Sequence, residues 1–208
     1  MKNVIAYYYG IHIDEIIHRD DKYFFWYSNQ EYVFEPYSRP IEDIDALYKI
    51  NLKMINNNIL VHELILNKEN KILTYVNNTP YILMEILANK EAKISLSEVC
   101  YLNNNSIDIE CDNILNRFDW VTLWETKNDY FESQIVEIGA KYPNLCSYAN
   151  YYIGLAENAI YYVREVLKAN EQVNKSICHK RINSRGSFYE LYHPMEFICD
   201  FRVRDIAE

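Results

Sequence analysis

Two short segments near the C-terminus carry the residues that could do chemistry. The first, "ICHKR", places His179 two residues before Arg181, and the second, "FICDF", ends an apolar run near Asp200. A histidine can exchange protons, and a carboxylate can hold Mg²⁺. Arg181 cannot act as a base, because a guanidinium stays protonated in proteins. The structural alternatives are that His179 anchors its loop and that Asp200 caps a turn.

The composition is that of an ordinary globular protein, with 208 residues, 50% of them hydrophobic and 25% charged. That length suffices for one large domain or for two lobes around a substantial core. The formal net charge of −9 argues against a nucleic-acid partner, since phosphates are bound by clustered Lys and Arg. It also argues against docking on an anionic membrane. No apolar run reaches the roughly 18 residues of a membrane span.

Cysteine and glycine usage excludes two kinds of site. The five cysteines are scattered and form no C-x-x-C pair, which favours reduced thiols in a cytosolic compartment over a zinc site. They are Cys100, Cys111, Cys146, Cys178 and Cys199. Gly10 is the only glycine in the first 138 residues, so a glycine-rich phosphate loop is not expected there.

The first part of the chain predicts an antiparallel sheet with one helix. Its strands are expected at 3–9, 21–28, 31–37, 59–67, 71–76 and 80–87. We read 3–9 as a strand and not a signal peptide, because no small-residue cleavage site follows. Asn29-Gln30 and Asn77-Asn78 are the expected hairpin turns. Apolar residues spaced three and four apart after Pro40 predict a helix to about residue 55.

The second part predicts helices and then short strands. The polar stretch 87–93 is a candidate hinge, so we place an N-terminal sheet lobe at 1–87 and a C-terminal lobe at 88–208. Asp129 and Glu132 have capping-box spacing for one helix, and a longer core helix is expected over 144–169. Its predicted apolar face comprises Leu145, Tyr148, Tyr152, Leu155, Ala159, Val163 and Val166. The expected terminal strands are 176–179, 187–192 and 196–200.

This order of elements, with the motifs "YYYG", "YVFEPY" and "CDFRVRDIAE", resembles the spore coat proteins of the CotS and YutH type. These belong to the aminoglycoside phosphotransferase and protein-kinase-like superfamily. The resemblance implies an α+β, two-lobed, protein-kinase-like fold, with an antiparallel sheet and one helix in the N-lobe and a mainly helical C-lobe. Family members carry further helices after the last segment, so it also implies an incomplete C-lobe.

Carried over residue by residue, the resemblance implies a degenerate kinase site. His179 matches the histidine of the family's H-G-D loop, and Arg181 stands where the catalytic Asp accepts a hydroxyl proton. Gly186 replaces the metal-binding Asn five residues later, and only Asp200 keeps a metal ligand's identity. Glu35 or a neighbour stands where the family has its ATP-binding Lys. Asp205 is expected to bind backbone amides near the loop.

The leading hypothesis is therefore that the protein is a pseudokinase, and we expect it to use no cofactor. It would act by binding proteins, among them other coat proteins, from the mother-cell cytoplasm or in the spore coat itself. We also hypothesise that Arg181 pairs with a carboxylate, for which Asp200 and Asp205 are the candidates, and closes the cleft. One alternative is an active small-molecule phosphotransferase that uses ATP and Mg²⁺ at an atypical site. Another is an unrelated α+β binding module.

Overall fold

A computed structural model of the chain describes residues 1–87, 92–117, 119–139, 141–169, 175–182 and 186–207. The chain divides into two compact units, Met1–Asn116 with Lys175–Glu208, and Arg117–Asn174. The candidate hinge at 87–93 falls largely on 88–91, which lie outside the described residues. The lobe boundary between 87 and 88 therefore stays a prediction.

The first unit contains the predicted antiparallel sheet. Its strands are β1 (Ile17–Arg19), β2 (Lys22–Tyr27), β3 (Gln30–Pro36), β4 (Glu63–Ile65), β5 (Thr74–Val76) and β6 (Thr79–Ile86). They are hydrogen-bonded in the order β1-β2-β3-β6-β4, and β5 pairs with β6. Asn77 and Asn78 form the predicted turn with φ of 49° and 66°, the left-handed conformation that two-residue hairpins need.

The other predicted turn lies one residue earlier than expected. Ser28 and Asn29, with φ of 50° and 65°, connect β2 to β3 in place of Asn29-Gln30. A shift of one position changes every cross-strand partner. Tyr23 pairs with Phe34 in the observed register, so Lys22 and Glu35 are the next facing positions along the two strands.

The predicted strand at 3–9 is wrong, because these residues form helix α1 (Lys2–Tyr9). The helix ends at Gly10, whose φ of 76° is left-handed and whose N–H donates to the Ala6 carbonyl, a C-cap that glycine favours. Ile5 is fully buried in a small cluster with Phe25 and Phe34 of the sheet. Strand propensity of Ile and Tyr depends on context, and this packing overrides it.

The predicted helix after Pro40 is confirmed. A short 3₁₀ turn (Ile41–Asp43) leads into α2 (Ile44–Asn56). Its buried face includes Leu47, Ile50 and Met54, which join the main core beneath the sheet. Asn51 is also fully buried: its side-chain amide donates to the His62 carbonyl at 2.7 Å and accepts the Leu64 N–H at 3.0 Å.

The rest of the first unit comprises short elements around a two-stranded sheet. They are α3 (Leu96–Asn105), a 3₁₀ turn (Asn113–Leu115), β7 (Lys175–His179), α6 (Phe188–Leu191), a 3₁₀ turn (Pro194–Glu196), β8 (Phe197–Phe201) and α7 (Arg204–Ala207). Strands β7 and β8 are antiparallel and confirm two of the three predicted terminal strands. The strand at 187–192 is wrong: the Glu190 carboxylate accepts the Ser187 N–H at 2.6 Å, and this capping box begins α6.

The second unit contains two helices that pack against each other, α4 (Trp120–Gly139) and α5 (Pro143–Ala169). Helix α4 begins earlier than the capping pattern at Asp129 predicted, because the Asp119 carboxylate accepts the N–H groups of Val121 and Thr122. Gly139 leaves space for the Cys146 side chain, since a Cβ there would lie 2.0 Å from its sulfur.

The predicted core face of α5 is wrong. Ala149, Ile153 and Ile160 are the buried positions, whereas Tyr148 is 71% exposed and Tyr152 is 63% exposed. Helix α5 has two apolar faces. The periodicity of the sequence does not indicate which of these faces packs against α4. Within the described ranges, no helix is both long enough and apolar enough to cross a bilayer.

Candidate functional site

A cavity of about 490 Å³ lies in the first unit where β2 and β3 approach the C-terminal segments. Its walls carry most of the polar side chains that the sequence singled out, together with three that it did not. They are Lys22, Glu35, His179, Arg181, Tyr189 and His193. The predicted Glu35 position and the His179 loop thus meet at one cavity.

Glu35 is the centre of a buried polar cluster in this cavity. The residue is 4% exposed. Its carboxylate accepts from Lys22 Nζ at 2.7 Å and from the Tyr189 hydroxyl at 3.0 Å, and its other oxygen lies 2.8 Å from His193 Nε2. The Lys22 ammonium also lies 4.9 Å from the centre of the Tyr189 ring, within cation–π range. These contacts neutralise the carboxylate and fix it in the wall.

The cluster keeps Glu35 ionised. Burial disfavours the charged carboxylate, but the neighbouring His193 and Lys22 side chains outweigh it and lower the pKa of Glu35 from 4.5 to about 2. Burial and the adjacent Glu35 carboxylate raise the pKa of Tyr189, so its hydroxyl remains a donor. Glu35 is therefore ionised at physiological pH, and its charge is balanced by the Lys22 ammonium.

His62 supports the cluster from behind. It is fully buried; its Nε2 faces the Tyr189 carbonyl at 3.1 Å, and its Nδ1 accepts the Leu87 N–H at 3.2 Å. Burial and the nearby His193 charge lower the pKa of His62 from 6.5 to about 4, so the ring is neutral. It thereby ties the end of β6 to the segment that carries Tyr189 and His193.

His179 is held as a structural anchor. The residue is 1% exposed. Its Nδ1 lies 2.7 Å from the Asp205 carboxylate, and its Nε2 lies 2.7 Å from the Leu191 carbonyl. The Asp205 carboxylate also accepts the His179 backbone N–H, at 3.0 Å and 3.1 Å to its two oxygens, as the resemblance implied. Both ring nitrogens are occupied, so this histidine holds its loop and offers no free nitrogen to a substrate.

The hypothesis that Arg181 pairs with Asp200 or Asp205 is wrong. Arg204 occupies that place, with its Nε 3.3 Å from Asp200 Oδ2 and an Nη 3.6 Å from Asp205 Oδ1. Its guanidinium also donates to the His179 carbonyl. Arg181 is exposed at the cavity and forms no ion pair with any carboxylate that the structure describes. The predicted pairing of Arg181 with either aspartate is therefore replaced by the pairing of Arg204.

The residues around Asp200 do not fit a Mg²⁺ site. Asp200 is 2% exposed, accepts the Phe201 N–H at 2.8 Å and has the Arg204 cation beside its other oxygen. Gly186, for which the resemblance implies the position of a second metal ligand, has no side-chain oxygen. Among the residues that the structure describes, no group of three His, Cys, Asp or Glu side chains could hold a metal ion. The metal role predicted for Asp200 stays a prediction.

Sequence reasoning missed Lys22, Tyr189 and His193 as partners of Glu35. The pairing of Lys22 with Glu35 could have been predicted from the register of β2 and β3, because a turn at Ser28-Asn29 places Lys22 opposite Glu35. The predicted turn at Asn29-Gln30 would have put Tyr37 there. Tyr189 and His193 lie more than 150 positions away along the chain, and no local pattern connects them to β3.

The solved structures that resemble this chain show its fold. An aminoglycoside phosphotransferase from Alicyclobacillus acidocaldarius subsp. acidocaldarius matches with a TM-score of 0.74 at 12% identity, over 100% of this chain and 69% of that one. A spectinomycin phosphotransferase solved with ADP and spectinomycin matches with a TM-score of 0.61 at 14% identity, over 99% of this chain and 70% of that one. The α+β fold, with its antiparallel sheet and helical C-terminal part, is thus the kinase-like phosphotransferase fold, as predicted.

The family itself is more specific. The model of the family described as "Spore coat putative kinase YutH" matches residues 2–208, so this chain belongs to that family. No curated protein matches the chain. The resemblance to the YutH type is confirmed, and the fold likeness to the antibiotic kinases, at 12–14% identity, concerns the fold alone.

Proposed function

We propose that this protein is a catalytically degenerate kinase-like protein that acts by binding other proteins in the assembly of the spore coat. The observation that carries the proposal is Glu35. The position that corresponds by resemblance to an ATP-binding lysine is a buried carboxylate with a pKa of about 2. A carboxylate that is already paired with Lys22 cannot form the ion pair that a lysine makes with nucleotide phosphates.

The catalytic loop supports the same proposal. Arg181 stands at the position of the family's proton acceptor and cannot accept a proton. Asp200 is engaged by Arg204, and His179 by Asp205. Asp200 therefore has a structural partner that would have to be displaced before its carboxylate could hold a metal ion.

The aromatic surface of α5 supports protein binding. Tyr148, Tyr152 and Leu155 lie on one face of the helix and are 71%, 63% and 47% exposed. Tyr is enriched at protein interfaces because it combines a large contact area with a polar tip. Since the family is one of spore coat proteins, we take another coat protein as the occupant of this face. The protein would be made in the mother-cell cytoplasm and end in the coat.

One observation favours the alternative of an atypical small-molecule phosphotransferase. Lys22 reaches the same cavity from β2, and its side chain is 32% exposed. Lys22 and Arg181 are thus two cations in the cavity that could bind phosphate oxygens. For Lys22 this requires that its ion pair with Glu35 breaks. This alternative requires a base other than Arg181 and predicts Mg²⁺-dependent nucleotide binding.

A thermal-shift experiment separates the two functions. We expect the unfolding temperature of the purified protein to be the same with and without millimolar ATP and Mg²⁺. A shift that depends on Mg²⁺ and is reduced in a Lys22→Met variant would favour the phosphotransferase. Lys127→Met, on α4 of the other unit, is the matched control.

The binding role is tested in a sporulating host. We expect a Tyr148→Gln/Tyr152→Gln double variant to be produced normally but to be depleted from isolated spore coats. Tyr7→Gln is the control, since Tyr7 is 73% exposed on α1 in the other unit. Equal recovery of all three proteins in the coat fraction would contradict binding through the α5 face.

A further inference from the structure

One tyrosine side chain extends from helix α6 to the sheet at the cavity of the first unit. The Tyr189 hydroxyl donates to the Glu35 carboxylate of β3 at 3.0 Å, and Lys22 of β2 donates to the same hydroxyl at 3.3 Å. Tyr189 is partly buried and lines the cavity. Its ring therefore lies between the C-terminal segments and the strands that they face.

Three other aromatic rings lie around the Tyr189 ring. The centre of the His62 ring is 5.2 Å away at an interplanar angle of 35°, and that of His193 is 5.2 Å away at 81°. The ring of Phe24, on β2, is 6.2 Å away. These separations lie in the range of favourable aromatic pairs. The phenol group thus has aromatic neighbours around its ring, and a carboxylate and an ammonium at its hydroxyl.

Hydrogen bonds to other segments hold the backbone that carries Tyr189. The Tyr189 carbonyl faces His62 Nε2 at 3.1 Å. The N–H of Phe188, the preceding residue, donates to the Ala92 carbonyl at 2.8 Å. Because the helix is fixed in this way, the surroundings of the ring become accessible when the side chain moves away or is shortened.

We propose that these surroundings form a binding site for a neutral phenol, and that Tyr189 occupies this site as a ligand supplied by the chain itself. The Glu35 carboxylate accepts the phenol hydroxyl, so a hydroxyl-bearing ring is preferred over a plain one. A phenolate is excluded because its charge would face the same carboxylate. While Tyr189 is in place, it closes the site to phenols from outside the chain.

The test is titration of a Tyr189→Ala variant with p-cresol, which is the tyrosine side chain without its backbone. We expect p-cresol to raise the unfolding temperature of the variant and to leave that of the wild-type protein unchanged. Toluene has the same ring without the hydroxyl, so we expect calorimetry to show about tenfold weaker binding of toluene than of p-cresol. Tyr7→Ala is the matched control and should not respond to p-cresol, since Tyr7 is 73% exposed on α1.

Three results would overturn the proposal. They are a folded Tyr189→Ala variant that does not bind p-cresol, equal binding of p-cresol by the variant and the wild-type protein, and equal affinity of the variant for toluene and p-cresol. Binding of a neutral phenol involves neither phosphates nor a partner protein. These results are therefore separate from those that test the proposed function.

A measurement on the wild-type chain covers the case in which the variant does not fold. Tetranitromethane nitrates accessible phenolates, and peptide mapping identifies the modified tyrosines. Burial and the Glu35 carboxylate raise the pKa of Tyr189, so its phenolate is scarce. We expect Tyr189 to be nitrated more slowly than the exposed Tyr7 by about tenfold or more. Equal rates for the two tyrosines would show that Tyr189 does not occupy the site, and would overturn the proposal.

Discussion

Replacing Glu35 with Gln tests the buried cluster at the cavity. The substitution keeps the size and shape of the side chain but removes the charge that Lys22 and His193 approach within 2.8 Å. The variant should retain the fold. It should be less stable, because two donors now face a neutral amide inside the protein.

The magnitude follows from the titration of Glu35. Its pKa is lowered from 4.5 to about 2 in the folded protein. Each tenfold change in proton affinity corresponds to about 1.4 kcal/mol, so the ionised carboxylate contributes about 3 kcal/mol to the free energy of unfolding near pH 7. Because the folded-state pKa is depressed, this contribution is complete above pH 4.5 and is lost as the pH falls toward 2. It should be about 1.4 kcal/mol near pH 3.

The assay is urea unfolding of the wild-type protein and the Glu35→Gln variant at a series of pH values from 7 to 3. We expect the variant to be about 3 kcal/mol less stable at neutral pH, and the two curves to converge in acid. Glu157→Gln is the matched control, since Glu157 is exposed on α5. A difference that stays constant across the series, or that is no larger than the control's, would refute the account of the cluster.

Three further predictions concern other buried contacts and the cleft loop. Asp205→Ala leaves the His179 N–H and ring without their acceptor, so we expect a loss of about 3–5 kcal/mol in urea unfolding; a loss equal to that of the exposed control Asp108→Ala would contradict this. His62, with its pKa lowered from 6.5 to about 4, favours folding above pH 6.5 and loses that contribution as the pH falls toward 4. A His62→Gln variant should therefore lose less stability over this interval than the wild-type protein, as followed by thermal unfolding. Arg181→Ala should change the unfolding free energy by less than about 0.5 kcal/mol, because Arg181 is exposed; a larger loss would reveal a structural role.

The sheet, α2 and the β7–β8 pair were predictable because local patterns determine them. The turn at Asn77-Asn78 and the stop after α2 are set by residues that tolerate left-handed or helix-ending conformations. Helix α1 was not predictable in the same way. Its buried residue, Ile5, packs against Phe25 and Phe34, which are distant in sequence. Its aromatic run also suits a strand as well as a helix.

The candidate site was only half visible in the sequence. Resemblance pointed to His179, Arg181 and Asp205, and the backbone contacts of Asp205 were inferred correctly. The partner of Asp200 was not, although Arg204 follows at a spacing of four residues. The periodicity of α4 and α5 predicted helices but not their buried faces, since which stripe is covered depends on what packs against it.

The partners of Glu35 mark the limit of sequence reasoning. Lys22 faces Glu35 only in the observed register of β2 and β3. A turn predicted one residue away places a different residue opposite Lys22. His193 comes from a distant segment that only the folded chain brings to the cavity. The resemblance indicates only that Glu35 or a neighbour stands where the family has a lysine, and the structure adds that this carboxylate is buried and paired with Lys22.

The central claim is tested most directly by phosphoryl transfer. The purified chain should be incubated with γ-labelled ATP, Mg²⁺ and a panel of small hydroxyl-bearing acceptors, and labelled product and released phosphate should be measured. The account predicts neither product nor phosphate above the level of a heat-denatured sample. Mg²⁺-dependent labelling of any acceptor that disappears in an Asp200→Asn variant would contradict it.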